Sequence, residues 1–322
     1  MLGYNGAMKR RLLELLADGH LHSGAALAAN LGVSRTAVWK GVTALRALGV
    51  EVQAEGGKGY RIPGGLELLD AERIRRLLPA SAAALLAGLE VLEEVDSTNR
   101  YLADLAERAH ARSVLAERQT RGRGRRGRSW VSPFGRNLYL SVGWRWEGGI
   151  AALEGLSPAV ALAVRRALGG DPRLAVKWPN DVLLDGRKVA GILSEIHGDP
   201  VGPCLLVVGI GVNLGMGESG AAIDQPWADL TELGRQGRNA TAAALLAELL
   251  PLLDRFPRSG FEPFREEWNR LDLCRDRPVR VHLAGNPVDG VARGVGPTGA
   301  LLVETGGVLR SFQGGEISVR AR

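Results

Sequence analysis

Cysteine is nearly missing from this chain: Cys204 and Cys274 are the two in 322 residues. Two distant cysteines cannot build a disulfide framework, and neither sits in a paired metal-ligand spacing, so no structural zinc is expected and a reducing, cytoplasmic setting fits. No segment of about 18 residues reads as an apolar membrane-spanning helix, since the uncharged stretch at 200–217 is broken by two prolines and five glycines. The opening MLGYNGAMKRRLLELLADGH carries charges within its apolar pattern and no cleavage-like small-residue site, unlike a secretory leader. There is no G-x-x-x-x-G-K phosphate loop and no nucleophile elbow, so neither a P-loop NTPase nor a serine-type covalent catalyst is expected. The G-x-G of Gly209 and Gly211 lacks the third glycine and following helix of a dinucleotide fold. Repeats and low-complexity tracts are absent as well.

What is present suits a folded chain of about two or three domains. Apolar residues make up 45% and charged residues 24%, enough for a packed core. Forty-one Lys and Arg against 35 Asp and Glu give a net charge of +6, which favours anionic partners such as nucleic acid or phosphorylated ligands.

Residues 1–64 read as a winged helix-turn-helix. Leu12, Leu13, Leu15 and Leu16 give one apolar helical face; Ser23 caps a second helix, Gly32 turns, Ser34 caps a third helix from Arg35 to about Leu48, and Gly49 stops it. EVQAEGGKGYRI then predicts two short strands around a wing tip at Lys58. A DNA contact would use Ser34, Arg35, Thr36, Trp39 and Lys40 at the exposed start of the third helix, with Lys58 on a phosphate. A core residue at helical spacing is the competing reading of Trp39.

PGGL at 63–66 resembles a linker, and residues 65–275 alternate helical and strand patterns in an α+β manner. Helices are predicted near 98–109, 153–168, 239–256 and 260–271, with strands near 113–118, 137–144, 174–178, 188–197 and 204–213. From residue 276 the pattern changes to five short alternating runs separated by Gly, Asn and Pro turns, which suggests a small β-barrel over 276–322.

Chemistry concentrates in three clusters of the middle domain. RGRGRRGR at 121–128, followed by Ser129-Trp130, interleaves guanidinium forks with glycines that let backbone approach an anion; an RGG-like nucleic-acid segment or a solvated basic loop is the competing reading. Lys177-Trp178-Pro179-Asn180-Asp181 and Arg187-Lys188-Val189-Ala190-Gly191-Ile192-Leu193 border predicted strands; they offer cations for phosphate and a carboxylate for Mg²⁺, or else ordinary strand-end charge. Asp96-Ser97-Thr98-Asn99 opens a helix and reads as its N-cap. Four small polar residues in succession also suit a neutral ligand that donates and accepts hydrogen bonds, such as a cyclic urea, with Gln119 serving the same ligand.

In this order, DSTN, Q-x-x-GRGRRGR-x-W, KWPND, RK-x-AGIL, GIGVNL and GGEIS resemble the biotin protein ligases, from about Glu94 to Gly315. HSGAALAANLGVSRTAVWK with GKGY resembles the bifunctional members that also repress biotin-synthesis genes. The resemblance implies a central mixed α/β, class II synthetase-like catalytic domain followed by an SH3-like barrel. It implies that Ser97, Thr98, Asn99, Gln119, Gly122, Arg123, Gly124, Arg125, Lys188, Gly191 and Leu193 bind biotin or its activated carboxyl. Arg128, Trp130, Lys177, Asn180, Asp181, Asn213 and Trp227 fall to the nucleotide side, with Asp181 a candidate Mg²⁺ ligand and Arg125, Lys177 and Lys188 catalytic. ATP and biotin are the implied substrates. Implied partners are the biotin carboxyl carrier protein of acetyl-CoA carboxylase, operator DNA and a second copy of the chain in a ligand-promoted dimer, with no membrane. The stretch LGMGESGAAIDQPW after Asn213 departs from the more basic adenylate-covering loop of the bifunctional members. A lipoate or octanoyl ligase, and a biotinyl-adenylate sensor without transfer, are the alternatives.

Overall fold

The computed structural model describes residues 4–199, 201–234, 237–282, 287–314 and 318–321. Three helices, α1 (Tyr4–Leu16), α2 (Gly24–Leu31) and α3 (Arg35–Ala47), precede the hairpin β1 (Gln53–Glu55) and β2 (Gly59–Arg61). The Ser23 and Ser34 hydroxyls accept from the amides of Ala26 and Ala37, as their N-cap positions require, and Gly32 and Gly49 take positive φ. Gly59 is compulsory: a Cβ there would lie 2.0 Å from the His22 carbonyl, where Tyr60 and His22 exchange backbone bonds that tie the wing to the helices.

The core of this module is not closed by its own residues. Leu12, Leu16, Leu27, Val38, Val42, Leu45 and Ile62 pack with Leu66, the last residue of the segment read as a linker, with Leu68 just after it, and with Phe134, which is 2% exposed and 72 residues beyond Ile62. Further ties are Lys9 to Glu93 and Arg136 to Glu51.

After α4 (Ala71–Leu77) and α5 (Ala80–Ala83) come β3 (Gly88–Val95), α6 (Thr98–Asp104), β4 (Arg112–Gln119), β5 (Leu138–Trp146), α7 (Leu156–Ala167), β6 (Leu174–Lys177), β7 (Asp181–Leu184), β8 (Arg187–Gly198) and β9 (Cys204–Val212). The strands form one seven-stranded mixed sheet, ordered β3-β4-β5-β9-β8-β7-β6, parallel at β3–β4 and antiparallel elsewhere. Helices α7 and α8 (Arg238–Ser259) pack together over it and bury the main apolar core; α9 (Arg265–Leu271) follows. Helix α6 lies on a smaller apolar cluster of Leu102, Ala109, Val114, Leu205 and Val207. The expected helix 98–109 breaks at Leu105 into a 3₁₀ turn, with Ala106 at positive φ. Helices α4 and α5 and strands β3 and β7 were not anticipated.

Five C-terminal strands, β10 (Pro278–His282), β11 (Val288–Val295), β12 (Leu301–Thr305), β13 (Val308–Phe312) and β14 (Ser318–Ala321), give an antiparallel sheet ordered β13-β12-β11-β10-β14, matching the five runs read from sequence. Its buried face joins the main core. The α+β class stands, and among the described residues no helix is long and apolar enough to cross a membrane.

One buried ion pair joins the layers. Arg238 at the start of α8 meets Glu117 of β4 at 2.6 Å, both almost fully buried. The guanidinium also donates to the carbonyls of Glu67 and Asn137, while Glu117 accepts the Leu69 amide at 2.7 Å. The Asn137 side chain in turn accepts the Leu214 and Gly215 amides.

Two outcomes follow for stability. Phe134→Ala removes a filled site between the N-terminal module and the sheet and should cost about 3–5 kcal/mol by denaturant titration, lost first from the N-terminal module. Asp272, buried beyond α9 with one oxygen on the Cys274 amide, has its carboxyl pushed up to about 6 by burial. A carboxyl raised in the folded state holds its proton longer than in the unfolded chain. Its unfavourable contribution therefore grows as pH rises from about 4 to about 6 and stays above that. Asp272→Asn should be more stable than the parent above pH 6 and should lose the advantage near pH 4; thermal melts across that range will check it.

Candidate active site and nucleic-acid interface

The sheet carries a cavity of about 450 Å³ between the start of α6, the end of β4, the loop 121–130 and the ends of β6 to β9. Its lining includes Ser97, Thr98, Asn99, Gln119, Arg123, Gly124, Arg125, Arg128, Trp130, Lys177, Asn180, Asp181, Lys188, Gly191 and Leu193. Three sequence-distant clusters therefore meet.

At the α6 end, Ser97 occupies the N-cap position but makes no capping bond with its side chain, so its hydroxyl is left to the cavity. The Thr98 amide and hydroxyl both reach Gln119 Oε1, at 2.9 and 3.1 Å, which turns the Gln119 amide nitrogen away from them. Buried Ser141 of β5 lies 2.7 Å from Thr98 Oγ1 and 2.6 Å from Asn99 Oδ1. The floor is thus a neutral hydrogen-bonding surface.

The basic loop is folded back on itself. Arg123 and Ser129 form a bridge, the Gly124 amide donates to the Arg128 carbonyl, and Trp130 donates to Gly122. Arg126 takes positive φ inside a short 3₁₀ turn. Arg125 reaches Asn180 Oδ1 at 3.2 Å, and burial lowers its guanidinium from the usual value, opposed by the charge of Asp181. Asn180 is itself pinned by bonds to Ile192 in both directions.

On the cationic side, Lys188 pairs with Asp181 at 2.6 Å and stands 5.5 Å from the centre of the Trp130 ring. The β6–β7 register sets Lys177 opposite Asp181, at the mouth of a hairpin whose turn is Trp178-Pro179-Asn180. Trp178 Nε1 donates to the Gly299 carbonyl, so the C-terminal domain holds the back of this turn.

Three assigned residues lie elsewhere. Gly122 is not in the cavity lining; a Cβ on it would sit 2.7 Å from the Trp130 carbonyl, so its part is to let the loop close. Asn213 and Trp227 line an adjoining cavity of about 430 Å³ that shares Arg128, Trp130 and Lys188 with the first. The buried Asn213 amide bonds the Ala228 carbonyl, which fixes the 213–230 loop. Sequence reasoning missed Ser141 and Glu195, which hold Asn99, and misjudged Gly209 and Gly211. Alternation along β9 puts both glycines on the cavity face, where a Cβ would be 2.2 Å from Asn99 Oδ1 and 2.4 Å from the Trp130 ring. Their spacing of two was the available signal.

Ser34, Arg35, Thr36, Trp39 and Lys40 are all exposed on α3, opposite the buried Val38, Val42 and Leu45. Trp39 is 56% exposed, which removes the core reading for it. Lys58 stands exposed at the wing tip.

The sequence model described as the biotin/lipoate A/B protein ligase family matches residues 91–213, an HTH domain matches 9–61, and a biotin protein ligase C-terminal domain matches 276–320. The chain is 43% identical to the bifunctional ligase/repressor BirA of Salmonella typhimurium, over 96% of this chain and 97% of that one. It is 42% identical to the Escherichia coli protein of the same name, over 97% of each. This chain belongs to the biotin protein ligases, in the bifunctional ligase/repressor branch. Among solved structures, the biotin protein ligase of Aquifex aeolicus in complex with biotin and ATP superposes with a TM-score of 0.65 at 29% identity, covering 74% of this chain and all of that one.

In a ligase of this family, crowding at the β9 glycines has a direct consequence. Gly211→Ala forces the Trp130 ring off its seat; overpacking of this kind costs about 1–3 kcal/mol, so affinity for the nucleotide, to which Trp130 is assigned, should fall by about five- to a hundredfold. Gly124→Ala, whose Cβ meets nothing closer than 3.6 Å, should leave affinity within about threefold, close to the tolerance of surface changes. Calorimetric titration of both variants with ATP will read the contrast.

Proposed function

We propose that the chain activates biotin with ATP to biotinyl-5′-AMP, transfers the biotinyl group to a lysine of a biotin carboxyl carrier protein, and represses transcription through its winged module. The observation that carries this reading is the convergence, in one cavity, of a neutral hydrogen-bonding floor with an arginine loop and a Lys177–Asp181–Lys188 cluster. Such a floor suits a cyclic urea, and the cations suit a carboxylate meeting a triphosphate. The residues assigned to biotin are those of the floor and the loop; Arg128, Trp130, Lys177, Asn180, Asp181, Asn213 and Trp227 are assigned to the nucleotide. Three domains, 1–64, 65–275 and 276–322, divide the work.

In the first step a biotin carboxylate oxygen attacks the α-phosphorus of ATP, the bond to the β-phosphate oxygen breaks, and pyrophosphate leaves. Arg125, Lys177 and Lys188 would hold the two anions together and oppose the charge that gathers on the α-phosphate oxygens. In the second, the unprotonated acceptor amine attacks the carbonyl of the mixed anhydride, AMP leaves and an amide remains. The loop 121–130 covers the anhydride and keeps water from it. Among the described residues no group of three His, Cys, Asp or Glu gathers as a metal site. A single carboxylate completed by phosphate oxygens and water is nevertheless an ordinary donor set for Mg²⁺, and Asp181 supplies it. The ion would neutralise phosphate charge there.

Arg35, Thr36, Trp39 and Lys40 would face the major groove of operator DNA, with Lys58 on the backbone. Two copies of the chain must pair to read an inverted repeat about one helical turn apart, and the adenylate-bound form is the pairing form.

The deciding assay mixes the chain, biotin, Mg·ATP and a carrier domain and follows biotin on the carrier, with lipoate as the competing substrate. Arg125→Ala and Lys188→Ala should each lower biotin-dependent pyrophosphate exchange by about 10² to 10³; undiminished exchange in both would remove these assignments. In gel shifts with the gene's own upstream DNA, Arg35→Ala should weaken specific binding more than random binding. Lys58→Ala should weaken both and lower the salt slope by about one contact.

A further inference from the structure

We infer that Glu195 is a positioning residue that fixes the orientation of the Asn99 amide and the resting place of the arginine loop with a single carboxylate oxygen; the inference rests on the ligase reading above. Glu195 Oε2 lies 2.7 Å from Asn99 Nδ2 and 3.1 Å from Arg123 Nη2. Its side chain stands on β8, which forms one wall of the cavity, and is largely covered.

The chemistry of the carboxylate decides what this does. An ionised carboxylate accepts hydrogen bonds and cannot donate one, so the nitrogen of the Asn99 amide must face it. The second N–H of that amide goes to the Leu193 carbonyl, another obligate acceptor, at 3.2 Å. Both donors are then used, and Oδ1 is turned toward Ser141 and the Gly209 face of the cavity. Asn99 therefore offers an entering ligand an acceptor lone pair and no donor. A ureido N–H finds a partner there, whereas a ligand that needed a donor would not.

The second contact reaches the loop. Arg123 is about half exposed, so its ion pair with Glu195 holds the loop weakly by itself. The buried Asn99 is where loss of the charge is felt most. The two contacts share an oxygen, so any movement that carries Arg123 away leaves Glu195 wholly to Asn99. Opening of the loop and orientation of the floor are thereby linked without Glu195 touching substrate.

The test compares Glu195→Gln, Glu195→Asp and Asn99→Ala in biotin-dependent pyrophosphate exchange, with thermal melting to confirm that each is folded. A glutamine can present a donor and lets the Asn99 amide turn over. The KM for biotin should rise about tenfold, in the range of a lost hydrogen bond to a charged group, with kcat within about twofold and the KM for ATP unchanged. Glu195→Asp should recover part of the loss. The combination of Glu195→Gln with Asn99→Ala should be no worse than Asn99→Ala alone. Tryptic cleavage within 121–128 should be faster in Glu195→Gln than in the parent. An unchanged biotin KM, or effects of the two substitutions that multiply, overturns the assignment. Absence of biotin-dependent exchange in the parent would sink the ligase reading instead, and equal tryptic rates in parent and Glu195→Gln would then sink the positioning role separately.

Discussion

The Glu117–Arg238 pair is the constraint on which the arrangement of layers depends. Both charges are almost fully buried, and removal of one would strand the other at a cost of about 3–5 kcal/mol. The pair is retained because its spare hydrogen bonds reach everything that must be held in register: the segment leaving the winged module at Glu67 and Leu69, the chain entering β5 at Asn137, and through Asn137 the loop after β9. Gln119, two residues along β4 from Glu117, points to the same face and reaches the ligand cavity. The position of the floor is thus tied to the anchor of the helical layer.

Much of this was legible from sequence where a local rule was strong. Ser23, Gly32, Ser34 and Gly49 marked the ends of the first helices because caps and left-handed turns demand particular residue types. The arginine loop and the KWPND and RK clusters were found because their chemistry is unusual in a packed domain, and the cavity brings them together. The misses have physical causes. Strand β3 carries Glu90, Glu93 and Glu94, which interrupt the apolar alternation that marks a strand; it is the outermost strand of its sheet, where such charges discourage pairing with another chain. Strand β7 is four residues long, too short to show a period. Ser141 and Glu195 act through a neighbour 42 or 96 residues away, and no local pattern encodes such a partnership.

The site also explains why small residues matter as much as charged ones. Asn99 and Trp130 occupy the space that side chains at Gly209 and Gly211 would fill, and Lys188 passes over Gly191. The cations can approach a ligand because the strand beneath them has been hollowed out at alternate positions. Gly-x-Gly here serves close packing of side chains against backbone, a different use from the phosphate turn of a dinucleotide fold.

Phe134 gives the molecule an asymmetry of inheritance. The winged module borrows this ring from the catalytic domain to complete its own interior, so the two halves cannot be exchanged among proteins like beads on a string. A foreign DNA-reading module grafted onto this catalytic domain would have to bring a socket for the phenylalanine. One that lacked it would leave an apolar ring in water only four residues from Trp130, at the foot of the loop 121–130. Substitutions are therefore free to accumulate on the exposed outer face of α3, around Arg35 and Trp39, while its inner face is answerable to the enzyme beneath it.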